Sequence, residues 1–255
     1  MTIGKTSFNY DEHETKYSSL RQTDPIIAKH IVEALGSAKT VLNVGAGGGS
    51  YEPQDKYVVA VEPSISMRKE RVNANKVPAI IGTADSLPFD NDSFDASLAT
   101  LTIHHWPDLE KGLLELKRVT RNQIVIMTYD PNALDVFWNA YYFPELIKVE
   151  KARYPKINKI TNILGEGSII KDIPIPIDCR DGFQEAFYGR PEAFLQKEVR
   201  QSQSAWGFLS DEVEQKLVKR LEDDLTSGKW DKKFGAHRKM PFFNGALRLI
   251  IYPKK

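Results

Sequence analysis

Apolar and polar positions follow two different patterns along this chain. Through its first half, short apolar runs recur at Thr40–Val44, Tyr57–Val61, Ala79–Ile81, Phe94–Ala99 and Gln123–Tyr129. Runs this brief, with few polar interruptions, suit strands of a parallel sheet buried on both faces. Between the last two runs, Leu109, Leu113, Leu116 and Val119 share one face of a helix over Asp108–Val119. Ahead of the first run, Asp24 and Pro25 make a helix start, and Ile27, His30, Ile31 and Ala34 continue it at helical spacing. Strands alternating with helices predict parallel units joined by right-handed crossovers, hence an α/β fold with an open, doubly wound sheet.

Past residue 131 the pattern changes. Residues 132–152 read as helical and aromatic (Phe137, Trp138, Tyr141, Tyr142, Phe143), and 183–230 as mainly helical, with Val213, Leu217, Leu221 and Leu225 on one stripe. Two further strands are predicted. One starts at Ile173 and runs to Cys179, where prolines confine it to an edge or bulge, and the other is Ala246–Tyr252. The assembly expected is a seven-stranded sheet with helical insertions capping its carboxyl edge. Residues 1–35 would form an N-terminal lid, residues 36–131, 172–182 and 241–255 the core, and residues 132–171 and 183–240 the cap.

Composition narrows the function. At 255 residues and 41% hydrophobic, the chain can bury a sizeable core. Its 35 Lys and Arg nearly cancel its 34 Asp and Glu, so net charge offers no support for nucleic-acid binding. Local basic runs (Lys148, Lys151, Arg153, Lys156, Lys159; Lys229, Lys232, Lys233, Arg238, Lys239) read as solvated faces. The sharper alternative is that a few of them line a site for an acidic substrate. Cys179 is the single cysteine, so no intramolecular disulfide or thiolate cluster can form, which suggests a reducing compartment. No apolar run approaches the ~18 residues of a membrane span, and the N-terminus lacks a signal-peptide core. A cytoplasmic protein, not embedded in membrane and without a metal, is expected.

The segment Val41-Leu-Asn-Val-Gly45-Ala-Gly47-Gly-Gly49-Ser50 runs from a strand into a glycine-rich turn, which lets backbone approach a ligand closely. A dinucleotide loop would place glycine at residue 50 and open a full helix; Ser50 and the nearby Pro53 argue against that, and with it against a nicotinamide-dependent oxidoreductase. The next strand ends at Glu62, a carboxylate able to accept both hydroxyls of a ribose. After the third strand, Ala84, Asp85 and Ser86 precede an apolar wall, and Asp85 can accept from an adenine amino group. Ligands of such sheets bind beyond the carboxyl ends of the strands, where these loops converge.

With VLNVGAGGGSYEP, VVAVEPSISM, GTADSLPFDNDSFDAS and TIHHWPDLEKGLLELKRV in this order, residues 40–130 resemble class I S-adenosylmethionine-dependent methyltransferases. Within that class the likeness is to the group related to ubiquinone and menaquinone biosynthesis. The resemblance implies a Rossmann-like sheet with S-adenosyl-L-methionine as cofactor. It implies Gly45, Gly47 and Gly49 beside the methionine portion, Glu62 with Pro63 at the ribose, Met67 beside the adenine, and Ala84, Asp85 and Ser86 at the adenine edge. Thr100 would offer backbone contacts to the methionine end, and Tyr17 and Arg21 would belong to a lid, Arg21 pairing with the cofactor carboxylate. Asn43 departs from the family, which commonly has Asp there, and the helix after the glycine loop is nearly absent.

Methyl transfer from a sulfonium relies largely on in-line positioning in a dry pocket. His105 is the first candidate for a general base, with a packed, pocket-shaping histidine as the alternative; Asp130 is the second candidate. Of the aromatics Trp138, Tyr141, Tyr142, Trp206 and Phe208, most are expected in the cap core. The expected activity is methylation of a small-molecule acceptor, oxygen favoured, by a monomer or homodimer. The alternative is a catalytically idle cofactor-binding partner, motivated by Asn43 and the shortened helix.

Overall fold

Residue 11 and residues 20–254 are described in the computed structural model of the chain. Six strands form the main sheet: β1 (Thr40–Val44), β2 (Tyr57–Val61), β3 (Phe94–Thr100), β4 (Thr120–Tyr129), β5 (Ile169–Asp172) and β8 (Leu247–Pro253), in the order β2-β1-β3-β4-β8-β5. β1 to β4 run parallel, and β8 is antiparallel to both its neighbours. The strand tips that carry the sequence motifs therefore open onto one edge.

Two of the predicted strands need correction. Ala79–Ile81 shrinks to a single parallel bridge between Ile80 and Val61. Ile80 both donates to Ala60 and accepts from Glu62, but Pro78 brings no N–H and the pairing stops there. The strand expected from Ile173 pairs with the sheet earlier, over Ile169–Asp172, because Pro174 and Pro176 cannot donate to a ladder. Ile175–Pro176 (β6) instead pairs with Phe242–Phe243 (β7) as a separate two-stranded piece. The sheet thus has six strands and a bridge where seven strands were expected.

Alternation along the strands divides the core. Val41, Ala96, Leu98, Val125 and Met127 face the helix Pro25–Leu35, which buries Ile27, Ile31 and Leu35 and is capped by the Asp24 carboxylate. Leu42, Val44, Ile124, Ile126 and Ile250 face the helices Leu109–Val119 and Ile157–Leu164. The first cluster continues into the cap, where Trp138 packs against Tyr142, Phe143, Phe194 and Trp230 and donates its indole N–H to the Tyr188 carbonyl at 2.8 Å. Trp206 joins the same core, whereas Tyr141 is 41% exposed. The cap contains the longest helix, Asp211–Thr226, with Leu217 and Leu221 buried as the stripe predicts. No helix among the described residues is long and apolar enough to cross a membrane.

Candidate active site

The chain leaves β1 through a bend that is pinned to β2. The amides of Gly45 and Ala46 both donate to the Val61 carbonyl, at 2.9 and 3.1 Å. Gly45 has φ +66°, and a Cβ there would lie 2.0 Å from the Thr102 hydroxyl oxygen, so only glycine fits. Gly47, at φ +50°, has open space where a Cβ would stand. Its amide donates to Glu62 Oε2 at 2.7 Å, while the Ser64 amide donates to Oε1 at 2.9 Å. Burial raises the Glu62 pKa above the ordinary carboxyl value, and these two N–H groups act against that rise.

A cavity of about 340 Å³ opens above these tips. Among the residues expected from sequence, Arg21, Gly45, Gly47, Glu62, Pro63, Met67, Ala84, Thr100 and His105 all line it. Asp11, Tyr51, Thr102 and Trp106 line it as well and were not anticipated. Asp11 comes from the N-terminal segment and accepts from the Ser66 amide and the Ser64 hydroxyl, both at 2.8 Å, at the start of the helix Ile65–Asn73. The Ser66 amide is the main reason its pKa falls to about 2. Trp106 fits because Gly112 carries no side chain: a Cβ there would stand 2.5 Å from the indole ring.

Five expected residues stand elsewhere. Asn43 is fully buried beneath the bend and donates from Nδ2 to Glu52 Oε1 at 2.9 Å. That oxygen also accepts from Arg71 Nη1 at 2.8 Å, in an ion pair whose arginine side chain is wholly buried. Asn43 thus packs against an acid nine positions later, Glu52, whose charge is met by Arg71. Gly49 belongs to this network, since a Cβ there would lie 2.9 Å from Arg71 and 3.0 Å from Glu52; its glycine serves packing rather than cofactor approach. Asp130 sits off the cavity and accepts from the Asn132 amide at 2.9 Å, capping a turn. Ser86 is exposed and bridges to Thr83. Asp85 lies next to cavity-lining Ala84, and its Oδ1 is buried with no hydrogen-bond partner among the described residues. Tyr17 lies outside the described residues.

Arg21 is held at the mouth by Asp181. Its Nε donates to Asp181 Oδ1 at 2.6 Å, and the Tyr51 hydroxyl donates to Oδ2 at 2.9 Å. Burial is also the main cause that drives the His105 pKa down to about 3, with Arg153 and Arg21 adding to it. His104, its ring centroid 4.0 Å away, is also lowered, chiefly by burial. Both rings are neutral at physiological pH.

The donor set fits an adenosyl sulfonium. Gly47 offers an unobstructed bend, Glu62 a buried carboxylate at the strand tip, and Asp85 a buried oxygen without a donor among the described residues. Comparison with known proteins agrees. Residues 42–128 match the methyltransferase domain family. A ubiquinone/menaquinone biosynthesis C-methyltransferase, UbiE, of Geobacter is 26% identical over 166 residues, covering 59% of this chain and 68% of its own length. An uncharacterized Methanocaldococcus jannaschii protein is 27% identical over 135 residues, 52% of each chain, so the chain spans only about half that relative's length. A solved structure from Anabaena variabilis, described as a methyltransferase from an antibiotic biosynthesis pathway, superposes with a TM-score of 0.84. It shares 29% identity and covers 92% of this chain and 99% of its own. Residues 42–128 are thus a methyltransferase domain of the class I S-adenosylmethionine-dependent kind. Within that class it is a distant relative of the quinone-biosynthesis group.

Proposed function

We propose that the protein transfers a methyl group from S-adenosylmethionine to a small molecule, with oxygen as the favoured acceptor atom. One observation carries the reading: the glycine bend, Glu62 and Ala84 come from three successive segments of the sheet and line one cavity. In this reading Glu62 and Pro63 hold the ribose, Met67 packs beside the adenine, and Asp85 takes its amino group. Gly45, Gly47 and Thr100 meet the methionine end with backbone. Arg21, already oriented by Asp181, faces the cofactor carboxylate. Residues 132–171 and 183–240 cover the carboxyl edge and shape the acceptor chamber.

When bound, the cofactor supplies an electrophilic methyl group on a sulfonium. The chain's own contribution is then position and exclusion of water. His105 lines the cavity as a neutral ring, a weak base that can still orient an acceptor by hydrogen bonding. An acceptor that arrives as an anion needs no base, and oxygen reaches that state more readily than carbon; this favours oxygen. The relatives named for a quinone C-methylation and an antibiotic pathway are compatible with a small-molecule acceptor.

Calorimetry with S-adenosylhomocysteine tests the reading. Binding near the micromolar range is expected for the wild type, weakened about tenfold or more in Glu62→Ala. No binding, or a Glu62→Ala variant as tight as wild type, ends it. Transferred methyl groups located by mass spectrometry on oxygen, rather than carbon or nitrogen, decide the acceptor atom.

A further inference from the structure

A second recess of about 420 Å³ adjoins the cofactor cavity, and His105, Trp106 and Pro107 line both. Its other walls include His104, Arg153, Tyr154 and Lys159. We propose that this recess anchors the acceptor, and that the acceptor's non-reacting end is an anion, a carboxylate or a phosphate. The proposal rests on the methyltransferase reading above and specifies the substrate class for it.

The lining is rich in donors and poor in acceptors. Among the described residues, two cations, Arg153 and Lys159, contribute to it, and no carboxylate does. Trp106 Nε1, Arg153 Nε and His104 Nδ1 are buried without a hydrogen-bond partner among the described residues. Tryptophan and arginine can only donate, and a neutral imidazole has one N–H to give. Buried polar atoms in folded proteins are nearly always paired, so two obligate donors and an imidazole nitrogen on residues lining one recess point to a polar ligand with acceptor oxygens.

The arginine is also fixed in place. Its Nη1 reaches Glu150 Oε2 at 3.4 Å, its Nη2 donates to Ser204 Oγ at 3.0 Å, and its guanidinium lies 4.8 Å from the Phe208 ring centroid. These contacts use the two terminal nitrogens and leave Nε. Glu150, the acid beside it, is buried and does not line the recess; burial raises its pKa, against the lowering by Arg153. His104 is braced by Tyr154, with ring centroids 4.1 Å apart. Lys159 is exposed at the rim and can swing onto a charged group. A small molecule held here by its anionic end reaches past His105 to place its nucleophile in the cofactor cavity.

Calorimetry on the full chain, with and without saturating S-adenosylhomocysteine, tests this with phenylacetate, phenyl phosphate and phenylacetamide as probes. The two anions should bind about tenfold or more tightly than the neutral amide, and weaken as salt is raised. The tighter of the two assigns carboxylate or phosphate. Lys159→Glu should weaken both anions by about tenfold while leaving amide and S-adenosylhomocysteine affinities unchanged. Trp106→Phe, which keeps the ring and removes the N–H, should weaken the anions more than the amide. Equal binding of amide and anions, indifference to Lys159→Glu, or no anion binding at about 10 mM would overturn the assignment. Absence of S-adenosylhomocysteine binding would instead count against the cofactor reading, and the cofactor-free series would still decide the recess.

Discussion

The cofactor half and the cap half both bury polar groups, but they satisfy them by different means. Around the cavity, backbone amides do most of the pairing: Gly47 and Ser64 on Glu62, Gly45 and Ala46 on the Val61 carbonyl. In the cap, side chains do the pairing, with one another, as in Gln184 donating to Glu150 at 2.8 Å, and with distant backbone, as in Trp138 donating to the Tyr188 carbonyl, inside a core filled by Trp138, Tyr142, Phe143, Phe194 and Trp230. A site made of backbone depends on a few conformations being right. A cap made of rings depends on volume being filled. Substitutions of similar stability cost should therefore have different functional consequences in the two halves.

The sharpest test sets Arg71 against Trp138. Arg71→Ala leaves Glu52 buried without its cation, which costs about 3–5 kcal/mol. It should also weaken S-adenosylhomocysteine, because Glu52 steadies Asn43 and Gly49 packs on the same pair. Trp138→Ala empties the centre of the cap at a comparable ~3–5 kcal/mol. Cofactor affinity should then stay within about twofold. Urea denaturation and calorimetry on both variants check this; if Trp138→Ala loses affinity in step with stability, the halves are not separable. Next in size, Gly45→Ala should lose about 100-fold in cofactor affinity, roughly 3 kcal/mol, from the collision with Thr102 added to a left-handed φ. Gly47→Ala meets no atom and should lose about tenfold less.

That division also explains what could be read from sequence. Gly45 and Glu62 were legible because backbone geometry at strand tips demands particular residues at particular spacings, Met67 and Ala84 through the family resemblance, and the cavity brings the four together. The Asn43 departure was visible, but its partner Glu52 was not. Glu52 looks like any loop acid, and nothing in Ile65–Asn73 marks Arg71 as the residue turned wholly inward. An acid following a glycine loop whose usual aspartate is missing was the available signal. β5 escaped because all four of its residues are exposed, so it has no buried face to announce itself. Asp130 was misplaced by one step of reasoning: it follows a strand tip, yet its carboxylate turns to the Asn132 amide. In the cap, aromatic content predicted a core correctly but not its partners, which depend on distant segments such as Tyr188 meeting Trp138.

A pH measurement sharpens the comparison within the cap. Glu185 is almost fully buried and accepts from the Ala246 amide at 2.8 Å, and burial lifts its pKa to about 7. Its folded value lies above its unfolded one, so the folded state binds the extra proton. The associated stability is whole below about pH 4.5 and is lost as pH rises through about 7. Glu185→Gln, which keeps an oxygen for Ala246, should remove that slope and leave the variant more stable than wild type at pH 8 by on the order of 2–3 kcal/mol. His104 and His105 act in the opposite sense, since their lowered values withdraw stability as pH falls below the ordinary histidine range. The diagnostic is therefore the difference between the two urea-denaturation series across pH 5–8, not the shape of either alone. Parallel curves would remove Glu185 from the account.

The smallest effect comes from a second arginine, at the surface of the cap. Arg238 pairs with Glu192 and donates from Nε to Asp231 at 2.6 Å, with its guanidinium 4.7 Å from the Trp230 ring centroid. On paper it has more partners than Arg71. Its side chain is 32% exposed, however, and both acids are more exposed still, so water already solvates what the pairs would gain. Arg238→Ala should cost only about 1 kcal/mol, part of it from uncovering Trp230 rather than from charge. Raising salt to about 1 M should erase the ionic part of that loss while leaving the part due to packing. The same salt should leave the cost of Arg71→Ala unchanged, because no ion reaches that buried pair. Equal salt sensitivity at the two arginines would mean that burial does not separate them, and the contrast between a backbone-built site and a packed cap would lose its electrostatic half.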